Sequence, residues 1–215
     1  ETGRLTGVVR EGAYFVFRAM FRGSATVEDY EQGLPRVFEN YLTHGVTSVH
    51  NSVVRPKVFK AYQNLHSRGE LNMRVGIIGN GDVDGMVQAM IASGLQSGMG
   101  DGWLRIVGVE WIADASVGGR TAAFYNPYQG EPDVGEPVPN TGMQLFSREW
   151  LEPRVLAAHE AGLTVCVEGL GDRGVDFALD VIEAALEKCP RDDHRSRIEH
   201  CCCVPDAQMA RIKKL

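Results

Sequence analysis

Two spacings of apolar residues alternate along this chain. Short runs rich in Val, Ile and Leu are each followed by a stretch whose apolar residues recur every three or four positions, with glycines or capping residues between them. After an irregular opening, Val27 to Leu42 predicts a helix. Thr26 caps it, with Asp29 three residues on in place of the usual Glu, and Gly45 ends it. Val46 to His50 then predicts a strand. Pro56 opens a second helix, Lys57 to about Arg68, closed by Gly69. Met73 to Ile78 predicts a strand, Asp82 to about Leu95 a helix, and Leu104 to Ile112 a strand. Ser147 caps a helix that Gly162 ends. Thr164 to Glu168 predicts a strand, Val175 to Leu186 a helix, Arg197 to His200 a strand, and Pro205 onward a helix.

This repeated strand–helix alternation predicts parallel βαβ units. Five units suit part of a (β/α)8 barrel or an open doubly wound sheet. No Gly-x-Gly-x-x-Gly follows a strand. Gly79-Asn80-Gly81 leads into Asp82-Val83-Asp84, whose carboxylates would repel a pyrophosphate at a helix N-terminus, so the barrel is the better reading. The connection from Asp114 to Phe146 has glycines, prolines and aromatics without periodicity. At that length it reads as a functional lid, mobile at its tip, over the catalytic face of the barrel.

Side-chain alternation then sorts the strands. Ile106, Gly108 and Glu110 share one face, and Val107, Val109 and Trp111 the other. Thr164, Cys166 and Glu168 oppose Val165 and Val167. Ser196, Ile198 and His200 oppose Arg197 and Glu199. The valine faces suit packing under helices. Glu110, Glu168 and His200 are therefore expected to point inward at one rim, where a buried carboxylate needs a partner such as a metal ion.

Composition narrows the classes. With 44% hydrophobic and 23% charged residues, the chain is that of a water-soluble globular protein large enough for one core. A net charge of −6 with no basic stripe argues against a nucleic-acid partner. No apolar run approaches the about 18 residues that span a membrane, and the first residues lack the basic and apolar regions expected of a signal peptide. The five cysteines, three of them adjacent at Cys201, Cys202 and Cys203, do not make a secreted disulfide framework. A reducing cytoplasm is the expected setting, and the triplet reads as small apolar residues rather than a soft-metal site. The first residue is Glu1, and the chain stops at Leu215 inside a helical pattern, which reads as the central portion of a longer protein. Such a portion exposes two sheet edges, so self-association is expected.

Five segments resemble the YtcJ-like branch of the amidohydrolase superfamily. They are Thr6-Gly7-Val8-Val9-Arg10-Glu11-Gly12-Ala13, His44-Gly45-Val46-Thr47-Ser48-Val49-His50, the loop Ala113-Asp114-Ala115-Ser116-Val117-Gly118-Gly119-Arg120-Thr121-Ala122-Ala123, Gly171-Asp172-Arg173, and Arg197-Ile198-Glu199-His200. They stand in that branch's order. The resemblance implies an α/β fold, a TIM-type (β/α)8 barrel with about five βα units present. It implies hydrolysis of C–N bonds other than peptide bonds in a small-molecule substrate, by water activated on zinc or another divalent metal. It makes His200 a metal ligand. It places Glu168 where the branch has His and Glu110 where it often has Lys. Glutamate can also ligate zinc, so both are metal candidates, as ligands or as structural carboxylates. Asn51 replaces the usual Asp. The branch's first-strand His-x-His pair and last-strand Asp have no counterpart in these residues. Arg120, with Thr121 beside it, is a candidate for holding a substrate carboxylate, or else for anchoring the loop by a salt bridge. Asp172 and Arg173 read as organisers of their loop. A second reading stays open: a non-catalytic barrel segment with a binding or structural role.

Overall fold

The computed structural model describes residues 7–81, 85–133 and 135–215. Five parallel strands in sequential order form its centre: β1 Ser48–Val54, β2 Arg74–Asn80, β3 Leu104–Ile112, β4 Val165–Gly169 and β5 Arg197–His200. The helices are α1 Gly12–Gly23, α2 Val27–Thr43, α3 Pro56–Ser67, α4 Met86–Ala92, α5 Arg148–Glu160, α6 Asp172–Lys188 and α7 Asp206–Lys214. No strand order reversal occurs, so the doubly wound alternative falls. No described helix is long and apolar enough to cross a membrane.

Local chemistry explains the boundaries. The Thr26 hydroxyl accepts from Asp29 N, and the Asp29 carboxylate accepts from Thr26 N, which closes the capping box of α2. Pro56 stands in the first turn of α3, and Ser147 caps α5. Helix α4 is shorter than its apolar pattern: Gly85, at φ 64°, precedes it, and Gly94, at φ 67°, follows its end. The expected start at Asp82 to Asp84 lies outside the described residues. Helix α1 occupies what reads as an irregular opening. Its run Gly12–Gly23 leaves Val16 and Met20 exposed.

The helices cover one face of the sheet. Val75, Ile77, Val109, Trp111, Val165 and Val167 form a continuous core with Tyr62 and Leu65 of α3, Met90 of α4, Leu151 and Val155 of α5, and Val181 of α6. Burying each large apolar side chain of this layer contributes about 1.5–3 kcal/mol. The opposite face is concave. A flat sheet would hold β1 and β5 about 19 Å apart, four strand spacings. Arg197 of β5 nevertheless donates from Nη1 to His50 Nδ1 of β1 at 2.9 Å. The sheet therefore curls into a half-barrel.

Two face assignments need correction. Ile77 pairs with Ile106 but Ile78 pairs with Gly108, so Val107 is an extra residue in β3. This bulge turns Ile106 to the helical side with Val109 and Trp111, instead of inward with Glu110. In β5 the alternation is inverted. Ile198 packs towards the helical core, while Arg197 and Glu199 face the concave side. Register explains this: Cys166 pairs with Arg197, Val167 with Ile198 and Glu168 with Glu199, so β5 follows the faces of β4.

Candidate active site at the strand ends

Glu110, Glu168 and His200 all lie at the C-terminal ends of strands, but at different depths. Glu110 is level with Cys166, whereas Glu168 is level with Ile112. Glu110 thus lies one side-chain layer deeper, about 6.6 Å along the strand direction. It is 1% exposed, and the Ser52 hydroxyl of β1 donates to its Oε2. Glu168 and His200 do meet: Glu168 Oε2 is 3.4 Å from His200 Nε2, with the imidazole half-exposed. His200 reaches this position through its backbone. It and Cys201 have φ of 65° and 48°, a left-handed pair without glycine that swings the chain at the end of β5. Cys201 N then donates to Gly169 O and Cys203 N to Leu170 O, which lays the cysteine triplet alongside the β4–α6 loop.

Asp114 organises this rim. It is fully buried directly after β3, and it accepts from Leu170 N on Oδ1 and from Gly171 N and Ala123 N on Oδ2, each at 2.9 Å. Burial pushes its carboxyl above the usual range, against the opposing pull of those amides and of His200. Gly174 sits where any Cβ would run into this carboxylate. Asp172 Oδ1 accepts from Tyr125 N at 2.9 Å and Arg173 Nη2 donates to Thr141 O at 3.3 Å, so both residues tie the β4–α6 loop to the long β3–α5 loop.

The long loop is internally bonded. Phe124 N donates to Thr141 O, Tyr128 N to Asn140 O, Met143 N to Thr121 O and Leu145 N to Ala113 O. Arg120 directs its guanidinium into the loop. Nε and Nη2 fork onto Glu136, Nη1 donates to Gln129 O, and the group stacks 5.1 Å from the Tyr128 ring. The Glu136 side chain is 1% exposed, and Arg120 holds its carboxyl down at about 2. Thr121 donates to Glu11 Oε1 at 2.8 Å and accepts from Ser116 N. Its hydroxyl fastens the loop to the segment before α1.

Alternation alone misses two concave-face groups, Arg197 and Glu199. Arg197 pairs with Glu199 at 2.7 Å and reaches His50 across the sheet. Beneath the rim, burial pushes the Cys166 thiol up, with Glu199 adding to the shift. The signal that finds Arg197 and Glu199 is pairing register between β4 and β5.

Among the described residues, no three His, Cys, Asp or Glu side chains converge on one metal position. A closed tetrahedral zinc site takes four donors. The adjacent Glu168 and His200 suit part of such a site, and Glu110 stands a layer below with a hydrogen-bonded carboxylate.

Comparison with known proteins agrees with this architecture. An uncharacterized metal-dependent hydrolase from Pyrococcus horikoshii OT3 superposes with a TM-score of 0.80 at 31% identity, over 97% of this chain and 40% of that one. A second, from Pyrococcus furiosus, gives 0.79 at 31% identity, over 97% and 41%. The Arabidopsis thaliana protein LONG AFTER FAR-RED 3 is 34% identical over 98 residues, 46% of this chain and 16% of that protein. The Bacillus subtilis (strain 168) protein named "Putative amidohydrolase YtcJ" is 34% identical over 82 residues, 38% of this chain and 14% of that protein. The chain therefore spans well under half the length of these relatives. The amidohydrolase family profile matches residues 1–215, and with the half-barrel and the strand-end Glu168–His200 pair this shows that the chain belongs to the amidohydrolase family.

Proposed function

We propose that these residues form part of a metal-dependent hydrolase that cleaves a C–N bond, an amide or related linkage, in a small-molecule substrate. The observation that carries this reading is the Glu168–His200 pair, two metal-competent side chains 3.4 Å apart at the strand-end rim of a half-barrel. The resemblance of both solved neighbours, each a metal-dependent hydrolase by name, supports it. His200 and Glu168 would hold a divalent ion, with zinc suited to the nitrogen and oxygen donors, and Glu110 would stand behind them. When bound, such an ion lowers the pKa of a water and polarises a carbonyl. The chain's own part is positional. Asp114 fixes both loops, and the left-handed turn at His200 and Cys201 aims the imidazole. We read Arg120 as an anchor of the loop, because its fork already holds Glu136; a substrate carboxylate would have to displace that partner. A cytoplasmic setting remains part of the proposal.

The test is elemental analysis of the longest open reading frame that contains these residues. Glu168→Ala and His200→Ala should each lower metal affinity about tenfold or more. Equal metal in wild type and both variants refutes the ligand roles. The second reading, a non-catalytic segment, is favoured by the absence of a converging three-donor group among the described residues. Folded full-length protein with neither metal nor hydrolysis would establish it.

A further inference from the structure

The concave face is divided by charge. Its C-terminal rim carries Glu110, Glu168 and Asp114, whereas the opposite half carries arginines from three strands. Arg74 opens β2, Arg105 is second in β3, and Arg197 opens β5. All three face away from the helices, because Val75, Leu104, Ile106 and Ile198 beside them pack on the helical side. His50 of β1 lies among them. Its ring rests against Gly76 of β2, where a Cβ would collide with it, and Gly76 is level with Arg105. Arg197 donates to His50 Nδ1, which leaves the ring proton on Nε2 as a further donor. Arg74 is held by neutral hydroxyls alone, donating to Ser48 Oγ at 2.8 Å and Thr47 Oγ1 at 2.7 Å.

Counter-charge is sparse. Glu199 pairs with Arg197. Among the described residues no carboxylate forms an ion pair with Arg74 or Arg105, and both are exposed. Several arginines elsewhere are matched by carboxylates: Arg68 by Glu31 and Glu70, Arg120 by Glu136, Arg211 by Asp176, Asp180 and Glu183. The concave face thus gathers two exposed arginines without a carboxylate partner among the described residues, beside the Arg197–His50 contact, on a chain whose net charge is −6.

We propose that the basic half of the concave face, built from Arg74, Arg105, Arg197 and His50, binds a phosphate-class oxyanion. Guanidinium forks match phosphate oxygens in pairs, and Arg105 has its fork available. Hydroxyls at Ser48 and Thr47 and the His50 Nε2–H add neutral donors around the same spot. The site is separate from the Glu168–His200 rim and does not depend on a metal there.

The experiment is a titration of the 215-residue chain at neutral pH and low salt. Inorganic phosphate is followed by 31P line broadening and calorimetry, with AMP in a parallel arm. Saturable binding is expected, weakened about tenfold or more by Arg105→Gln and by Arg74→Gln, and unchanged by Arg68→Gln on the helical side. Far-UV circular dichroism of each variant checks the fold. Arg105 has no side-chain partner among the described residues, so its loss leaves packing intact. AMP binding equal to phosphate assigns recognition to the phosphate group alone, and tighter AMP binding assigns it to a nucleotide; both support the site. Absence of saturable binding, or equal affinity in wild type and Arg105→Gln, overturns the proposal. So does binding of poly-L-glutamate without phosphate binding, which would give the patch to an acidic chain segment.

Discussion

Asp114 is the residue whose loss should cost this half-barrel most per atom removed. Its carboxylate takes three backbone amides from two loops, all at 2.9 Å in a fully buried position. In Asp114→Ala those three amides lose their acceptor at a point water does not reach. Hydrogen bonds to a charged group contribute about 1.5–3 kcal/mol each, and relief of the buried carboxylate's desolvation offsets part of the sum. The expected net loss is about 3–5 kcal/mol. For a domain of this size each kcal/mol moves Tm by about 2–4 °C, so the midpoint should fall by about 6–20 °C. Asp114→Asn separates the causes. Its single oxygen, placed at the Oδ2 position, still accepts from Gly171 and Ala123, while its amide faces Leu170 N. It should lose about half as much. Calorimetry gives the midpoints, and amide exchange gives the local effect: Leu170, Gly171 and Ala123 should exchange faster in the alanine variant. Unchanged exchange at those amides, or a midpoint within about 2 °C of wild type, would refute the assignment of Asp114 as the tie between the loops.

Other perturbations follow from the same structure. Glu136 has its carboxyl depressed from 4.5 to about 2 by Arg120, so its contribution is complete above pH 4.5 and is lost as pH falls towards 2; proteolysis within residues 114–146 should rise over that window in wild type, and already at neutral pH in Arg120→Ala. His159 is buried, its ring bonded to Cys189 O, and burial lowers its pKa below 6.5. The unfolded chain then binds the proton first, so stability falls as pH drops below 6.5, and His159→Gln should flatten the Tm profile between pH 7 and 5. Gly142→Ala should destabilise by at least about 2 kcal/mol more than Gly130→Ala in denaturant unfolding. Both glycines have positive φ, but only at Gly142 would the new Cβ strike Ala122 O, whereas Gly130 faces open space.

How much of this was legible in the sequence differs from element to element. Leu104–Ile112 and Arg197–His200 stand at the expected boundaries. The Thr26–Asp29 box was legible because capping is local chemistry. The faces of β5 were not, since four residues of alternating character fit either side and only pairing with β4 decides between them. The bulge at Val107 is likewise a property of two strands, set against β2 rather than within β3. At the site, Glu168 and His200 meet at the strand ends, but the alternation that placed His200 inward is inverted in β5, and the left-handed turn at His200 and Cys201 brings the imidazole there. The Arg120–Glu136 fork was not legible, because its partner lies 16 residues away inside a loop without periodicity. Asp114 stands in the Ala113–Ala123 segment, yet its role depends on amides from residues 56 and 57 positions later.

The Arg197–His50 contact joins side chains 147 positions apart in sequence, across the whole width of the sheet. Such a contact cannot form until every intervening strand has been laid down in order, so its loop-closure entropy is met late. It belongs on the native side of the folding barrier. Truncating Arg197 should therefore leave the refolding limb of a chevron nearly unchanged and steepen the loss through faster unfolding, a φ-value near zero. Curvature in this half-barrel is then a property of how long the folded state survives, and has little bearing on how quickly it is reached.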